Sequence, residues 1–128
     1  MKLKQLSIFL ENKTGRLAAA LDLLGKNGIN LSAFSLADTT DFGVARMIVD
    51  DCDKAKEVFK EAGIVVKVVE VFATNVADEP GALVHLLEKL SEGGVSVEYM
   101  YAFFGKASEE ALMVFKVDDV AKAEEIVK

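Results

Sequence analysis

Asn12-Lys13-Thr14-Gly15-Arg16-Leu17, running on to Gly28-Ile29-Asn30-Leu31, is the stretch that decides the fold, because the chain contains it twice. Sixty-six residues further along stands Asp78-Glu79-Pro80-Gly81-Ala82-Leu83, running on to Gly94-Val95-Ser96-Val97. In each copy a polar turn with a glycine opens a leucine-striped helix. Leu17, Ala20, Leu21 and Leu24 keep the i, i+3, i+4, i+7 spacing of one buried helical stripe, and Leu83, Leu86, Leu87 and Leu90 keep it again. Gly28 suits a left-handed cap at the end of the first helix, and Gly93-Gly94 stops the second.

Working outward, strands flank each helix. Leu6, Ile8 and Leu10 alternate along residues 3–10, and Val71 to Val76 occupies the same place in the second copy. Strand character returns at 29–37 and 43–49, around an expected hairpin loop at 38–41, and again at 95–104 and 112–117, around an expected polar loop at 105–110. Asp50, Asp51 and Asp53 then lead into a helix striped by Ala55, Val58, Phe59 and Ala62. Asp118 and Asp119 lead into one striped by Val120, Ala123, Ile126 and Val127. Acidic residues at such starts accept free N–H groups and suit the helix dipole. The run from Ile64 to Val76 serves as the last strand of one copy and the first of the next. The order strand-helix-strand-strand-helix-strand is that of the ferredoxin-like sandwich. The expected fold is therefore α+β: two tandem βαββαβ modules, 1–68 and 69–128, with antiparallel sheets and helices on one face. The second module lacks its last strand, so either another chain or Ile64 to Val68 is expected to cover the edge at Val71 to Val76, or the tail is truncated.

The 128 residues are 52% hydrophobic, and a unit of ~60 residues is marginal alone, so two such units are steadier together. A net charge of −6 speaks against nucleic acid, which needs a basic face. No apolar run approaches the ~20 residues that span a bilayer. Met1 to Gln5 leads straight into an alternating strand and does not resemble a signal peptide, so a cytoplasmic protein without membrane partners is expected. Cys52 is the sole cysteine, which excludes an internal disulfide and a cysteine metal cage. Cys52 itself reads as a small half-buried filler. The sole histidine, His85, falls outside the leucine stripe and reads as a solvent-facing helix position. The cluster Asp50, Asp51 and Asp53 lacks the glycine and downstream glutamate of a calcium loop, and helix capping explains it. No phosphate-binding glycine motif is present. Neither catalysis nor a cofactor is expected.

The repeat resembles the ACT family of small regulatory amino-acid-binding domains, whose signature is an Asp/Asn-x-Pro-Gly-x-Leu turn, a helix, then Gly-(Val/Ile)-(Asn/Ser)-(Ile/Val). The copy from Asp78 to Val97 fits it fully, and the copy from Asn12 to Leu31 fits with Thr14 in place of proline. The resemblance covers the whole chain as two tandem copies. It implies a stand-alone, non-catalytic sensor binding a small free amino acid at a junction between modules, with edge-to-edge pairing, a homodimer and a partner enzyme as the target. The ligand-holding positions it implies match Asn12 and Asn30 in the first copy, and Asp78 and Ser96 in the second. A protein-interaction subunit without ligand is the alternative.

The residues suit a zwitterion. A helix start offers unpaired N–H groups and partial positive charge to a carboxylate. Gly15 and Gly81 let a ligand approach the backbone, and the oxygens of Asn12 or Asp78 accept from an ammonium. The candidate ligand-binding set is Asn12, Lys13, Thr14, Gly15, Arg16, Leu17, Asn30 and Leu31, with Asp78, Glu79, Pro80, Gly81, Ala82, Leu83, Ser96 and Tyr99. Asn12-Lys13 is neutral to positive whereas Asp78-Glu79 is doubly negative, so the two turns are expected to be unequal, the first being the better zwitterion site. Helix capping by Asn12 and Asp78 is the plainer reading of those two residues. Tyr99, Tyr101 and Phe103 share one strand face and Met100, Ala102 and Phe104 the other, and either face suits the core.

Overall fold

The computed structural model describes residues 1–11, 13–38, 42–104 and 110–128. Asn12, the tip of the expected hairpin loop at 39–41, and residues 105–109 of the expected polar loop lie outside the described residues. The elements in chain order are β1 (Lys2–Glu11), α1 (Arg16–Lys26), β2 (Leu31–Asp38), β3 (Phe42–Val49), α2 (Cys52–Glu61), β4 (Val65–Ala77), α3 (Ala82–Glu92), β5 (Val97–Ala102), β6 (Glu110–Val117) and α4 (Val120–Val127). The fold is α+β, with antiparallel strand pairs and four helices. Two compact units divide it: Lys4–Val69, and Glu70–Lys128 together with Met1–Leu3.

In the unit Lys4–Val69 the strands neighbour one another as β2-β3-β1-β4. The alternation in β1 puts Leu6, Ile8 and Leu10 into one core. Ala45 and Met47 of β3 join them, and Ala20 and Leu24 of α1 with Ala55 and Phe59 of α2 close over that face. The opposite face of β1 is buried too: Gln5 and Ser7 are almost wholly inaccessible. Gln5 Nε2 donates to Ser7 Oγ at 3.1 Å, which offsets the cost of burying both polar groups. Gly28 takes the left-handed conformation, φ 68°, and lets the Ile29 N–H reach back to the Leu24 carbonyl at 2.9 Å.

In the other unit Phe72 of β4 and Phe115 of β6 are directly paired and their rings stack at 5.1 Å. Leu90, Val95, Val117 and Ala123 complete that core. The run Ile64 to Val76 is realised as the single strand β4. Ile64 to Val68 does not cover its later half, because Val65 to Val68 belongs to that same strand. The chain's own first residues meet it at Ala73: the Met1 carbonyl accepts from the Ala73 N–H at 2.9 Å, and the Met1 amino group donates to the Ala73 carbonyl at 2.8 Å. Pattern reading missed this because the stretch Met1 to Leu3 alternates as an ordinary strand start and carries no mark of its distant partner.

Both units bulge at the same place. The register shifts between Leu31 and Ala33, and again between Val97 and Tyr99. An extra residue reverses the side-chain alternation, so Leu31 and Phe34 both pack on one core, and Val97 and Met100 both pack on the other. Met100 therefore faces the helices, while Tyr101 is buried on the opposite side of β5.

Candidate functional site

The four helices start in two ways. At α2 and α4 an aspartate does the capping: Asp51 Oδ1 accepts from the Lys54 N–H at 3.1 Å, and Asp119 Oδ1 from the Lys122 N–H at 3.0 Å. The aspartates just before them have another task. Asp50 Oδ1 accepts from the Asn30 N–H at 3.0 Å, and the Asp50 N–H donates to the Asn30 carbonyl at 3.1 Å. Asp118 makes the same exchange with Ser96, at 2.9 and 3.2 Å. The main chains of Asn30 and Ser96 are thus occupied in tying each second strand to the end of the third.

At α1 and α3 no side chain among the described residues caps the helix. The capping position is held by Gly15 (φ 85°, ψ −10°) and Gly81 (φ 84°, ψ −8°), in a left-handed conformation that suits glycine. The two turns share their bonds as well as their angles. Lys13 N–H donates to the Glu11 carbonyl and Glu79 N–H to that of Ala77, at 2.8 and 3.0 Å. Arg16 N–H donates to the Lys13 carbonyl and Ala82 N–H to that of Glu79, both at 3.2 Å. One backbone motif is therefore built with Thr14 in one copy and Pro80 in the other. Apart from the two chain neighbours, no described residue brings a heavy atom within 4 Å of where a Cβ would stand at Gly15 or Gly81. Among the described residues nothing fills either corner, and none caps the first N–H groups of either helix with its side chain.

The surroundings differ. The first corner adjoins a cavity of about 170 Å³ lined by Leu10, Glu11, Lys13, Arg16, Leu17, Leu36 and Gly43. Glu11 stands between two cations, 3.0 Å from Lys13 Nζ and 3.8 Å from Arg16 Nη2. The hydrogen bond from Lys13, reinforced by the positive charges of Lys13 and Arg16, holds the Glu11 carboxyl below the usual carboxylate range. The second corner adjoins a cavity of about 440 Å³ lined by Thr74 to Ala77, Glu79 to Ala82, His85, Leu86, Lys89 and Val127.

Of the candidate residues, Lys13, Arg16 and Leu17 line the first cavity and Glu79, Pro80, Gly81 and Ala82 the second. Leu31 and Leu83 pack against the two cores instead. Asn30, Ser96 and Tyr99 line neither cavity, and Asp78 is exposed beside the second without lining it. Sequence reading passed over His85 and Lys89. Both are solvent-exposed, as a position off the leucine stripe implies for His85, yet both border the second cavity. Their i, i+4 spacing from the glycine corner was the available signal. Cys52 is half-buried against the first core, and burial, more than its aspartate neighbours, raises its thiol pKa. Among the described residues no group of histidine, cysteine and carboxylate side chains is placed to hold a metal ion. No helix among them is long and apolar enough to cross a membrane.

A family model described as an ACT domain pair matches residues 1–128. Protein BT0572 from Bacteroides thetaiotaomicron is 41% identical over 99% of this chain and 87% of its own, with a TM-score of 0.92. The regulatory subunit of aspartate kinase from Thermus thermophilus, in its ligand-free form, is 12% identical over 97% and 89% of the two chains, with a TM-score of 0.68. The corresponding subunit from Thermus flavus is 15% identical over 97% and 89%, with a TM-score of 0.66. These two share the fold. Among curated protein sequences none matches.

Proposed function

This chain belongs to the family of ACT domain pairs, and we propose that it is a non-catalytic regulatory protein whose ligand is a small free amino acid. The observation that carries the reading is the pair of glycine corners, each at the start of a helix that no side chain among the described residues caps. The first corner is the zwitterion site. Lys13, Arg16 and the N–H groups of α1 receive the carboxylate, Glu11 accepts from the ammonium, and Leu17 and Leu36 meet an aliphatic side chain. Its volume lies below the roughly 300–1,000 Å³ of pockets for drug-sized ligands, which suits a metabolite of this size.

The two compact units are two ferredoxin-like modules close to the expected 1–68 and 69–128, with Met1 to Leu3 counted in the second. A homodimer closes the site, so ligand favours whichever packing completes it, by no more than its difference in affinity between states. The output passes to a partner enzyme in the cytoplasm, a role consistent with the regulatory subunits of aspartate kinase that share the fold.

A thermal-shift screen against the twenty amino acids tests this. At a hundredfold excess over Kd a ligand stabilises the protein by about 2.7 kcal/mol, enough to raise Tm by several degrees. Asn12→Ala should weaken the effect more than Asp78→Ala. If no free amino acid raises Tm, the protein is not a sensor of this kind.

A further inference from the structure

Gly43 is a glycine that its own strand does not require. It lies within β3, paired with Leu10 of β1 on one side and with Asp38 of β2 on the other. A glycine inside a strand costs stability, because it loses more freedom on folding and brings no side chain to pack. A left-handed backbone would justify it, but Gly15 and Gly28 have that conformation and Gly43 does not. Crowding would justify it too. Among the described residues, however, the nearest atoms to a Cβ built there are Leu36 Cδ1 at 3.4 Å and the Ala37 carbonyl oxygen at 3.9 Å, so alanine fits. What the glycine leaves is a gap. Register puts it on the same face of the sheet as Leu10, which packs in the core under the helices. There it lines the first cavity beside Leu10, Leu17 and the exposed Leu36. The charged groups of that cavity, Glu11, Lys13 and Arg16, all belong to the junction of β1 with α1. The second unit carries a Cβ at the same place. Val76 pairs with Ala111 as Leu10 pairs with Gly43, and Ala102 stands opposite Met113 as Leu36 stands opposite Ala45. Neither alanine lines the second cavity, so the extension toward β3 is particular to the first corner.

We propose that Gly43 is the specificity-determining residue of the first corner, and that the gap it leaves admits an aliphatic amino-acid side chain longer than that of alanine. The proposal rests on the amino-acid reading of that corner and names which amino acids the corner takes. A carboxylate and an ammonium are held at the charged junction, so the side chain is left the carbon-lined part of the cavity, over Leu17 and Leu36 to Gly43. The strand residues Leu10, Leu36 and Gly43 offer it no polar side chain, which disfavours a polar or charged ligand tail there. A Cβ at Gly43 takes up the space that the end of a longer tail needs. Keeping a glycine in a strand at a cost in stability is the signature of a close approach by something outside the strand.

The test is isothermal titration of the intact chain with each of the twenty amino acids, repeated on Gly43→Ala, Gly43→Val and the matched change Ala111→Val. In the unaltered protein affinity should rise from glycine through alanine to valine and leucine, by about fourfold for each methylene buried. Gly43→Ala should weaken leucine about tenfold, Gly43→Val should remove the advantage of valine and leucine altogether, and both should leave glycine within about twofold. Ala111→Val should leave the order as it was. In urea unfolding Gly43→Ala should keep or raise the midpoint, as expected where alanine can adopt the backbone of a strand glycine. Equal losses for every ligand, or a size order that survives Gly43→Val, would overturn the role of Gly43 and leave the sensor reading intact. A lowered urea midpoint in Gly43→Ala would do the same, since the glycine would then serve the fold. Binding confined to polar or charged amino acids would overturn the aliphatic assignment alone. If the unaltered protein binds none of the twenty, the sensor reading itself fails and this proposal falls with it.

Discussion

At the starts of α2 and α4 an aspartate accepts from a free N–H group, whereas at the starts of α1 and α3 a glycine bends the chain and, among the described residues, no side chain follows it in. All four ends face the same physical demand. The first turn of any helix leaves N–H groups without intrahelical partners. Two of these ends meet the demand with an aspartate, and at the other two no described side chain does so. A repeat that keeps both solutions in register, once in each unit, indicates that the open ends are a feature of the design. The two open ends then part company. The first lies among Lys13, Arg16 and Glu11, while the second adjoins a larger cavity bordered by Glu79, His85 and Lys89.

That second contrast can be broken most sharply through affinity. Replacing Lys13 and Arg16 together by Ala should weaken amino-acid binding on the order of thirtyfold, since hydrogen bonds to charged groups are worth roughly 1.5–3 kcal/mol. Replacing His85 and Lys89 should leave it within about twofold, and isothermal titration distinguishes the two outcomes. Equal losses would mean that both corners hold the same ligand.

The equivalence of the two corners as backbone is the next to test. Gly15→Ala and Gly81→Ala should each cost about 1–2 kcal/mol in urea unfolding, because an L-residue is strained in the left-handed region. Space is not the reason, as no described residue beyond the chain neighbours comes within 4 Å of either Cβ position. A cost at one corner only would show that the matching angles conceal different constraints.

The contrast between open and capped ends predicts a smaller effect. Asp51→Ala and Asp119→Ala should each lose about 1 kcal/mol, the usual cost of a lost cap. Glu79→Ala, at an end no side chain caps, should stay within about 0.5 kcal/mol. A comparable loss at Glu79 would mean that this end is capped in solution.

The smallest effect concerns Glu11. Its carboxyl should titrate below the usual range by NMR and move back up in Lys13→Ala. Because the folded-state value is depressed, any stabilisation of the turn is present above the ordinary carboxylate range and fades as pH falls through the lowered value. An unshifted Glu11 would mean that the pair with Lys13 is not held in solution.

Periodicity alone was enough for the element order, since burial on one side of a helix or strand imposes its spacing on the chain. Leu6, Ile8 and Leu10, and the stripes ending at Leu24 and Leu90, sit where that rule puts them. The glycine corners were legible for a local reason: a left-handed bend before a helix needs a residue without Cβ, and both copies supply one. The bulges after Leu31 and Val97 were not legible. An extra residue in one strand is visible only against the strand it pairs with, so the inward face of β5 stayed open until β6 lay beside it.

What the amino-acid sequence by itself determined, then, is everything that acts within a few residues: helix stripes, strand alternation, glycine bends, and the kinship of the two copies. Tertiary structure alone decided what depends on distant partners. It set Asp50 against Asn30 instead of a helix end, brought His85 and Lys89 to the rim of a cavity, and joined Met1 to Ala73. These pairings link residues 20 to 72 positions apart. Local propensity carries no information about such partners, because both members are equally at home in many other strands and helices.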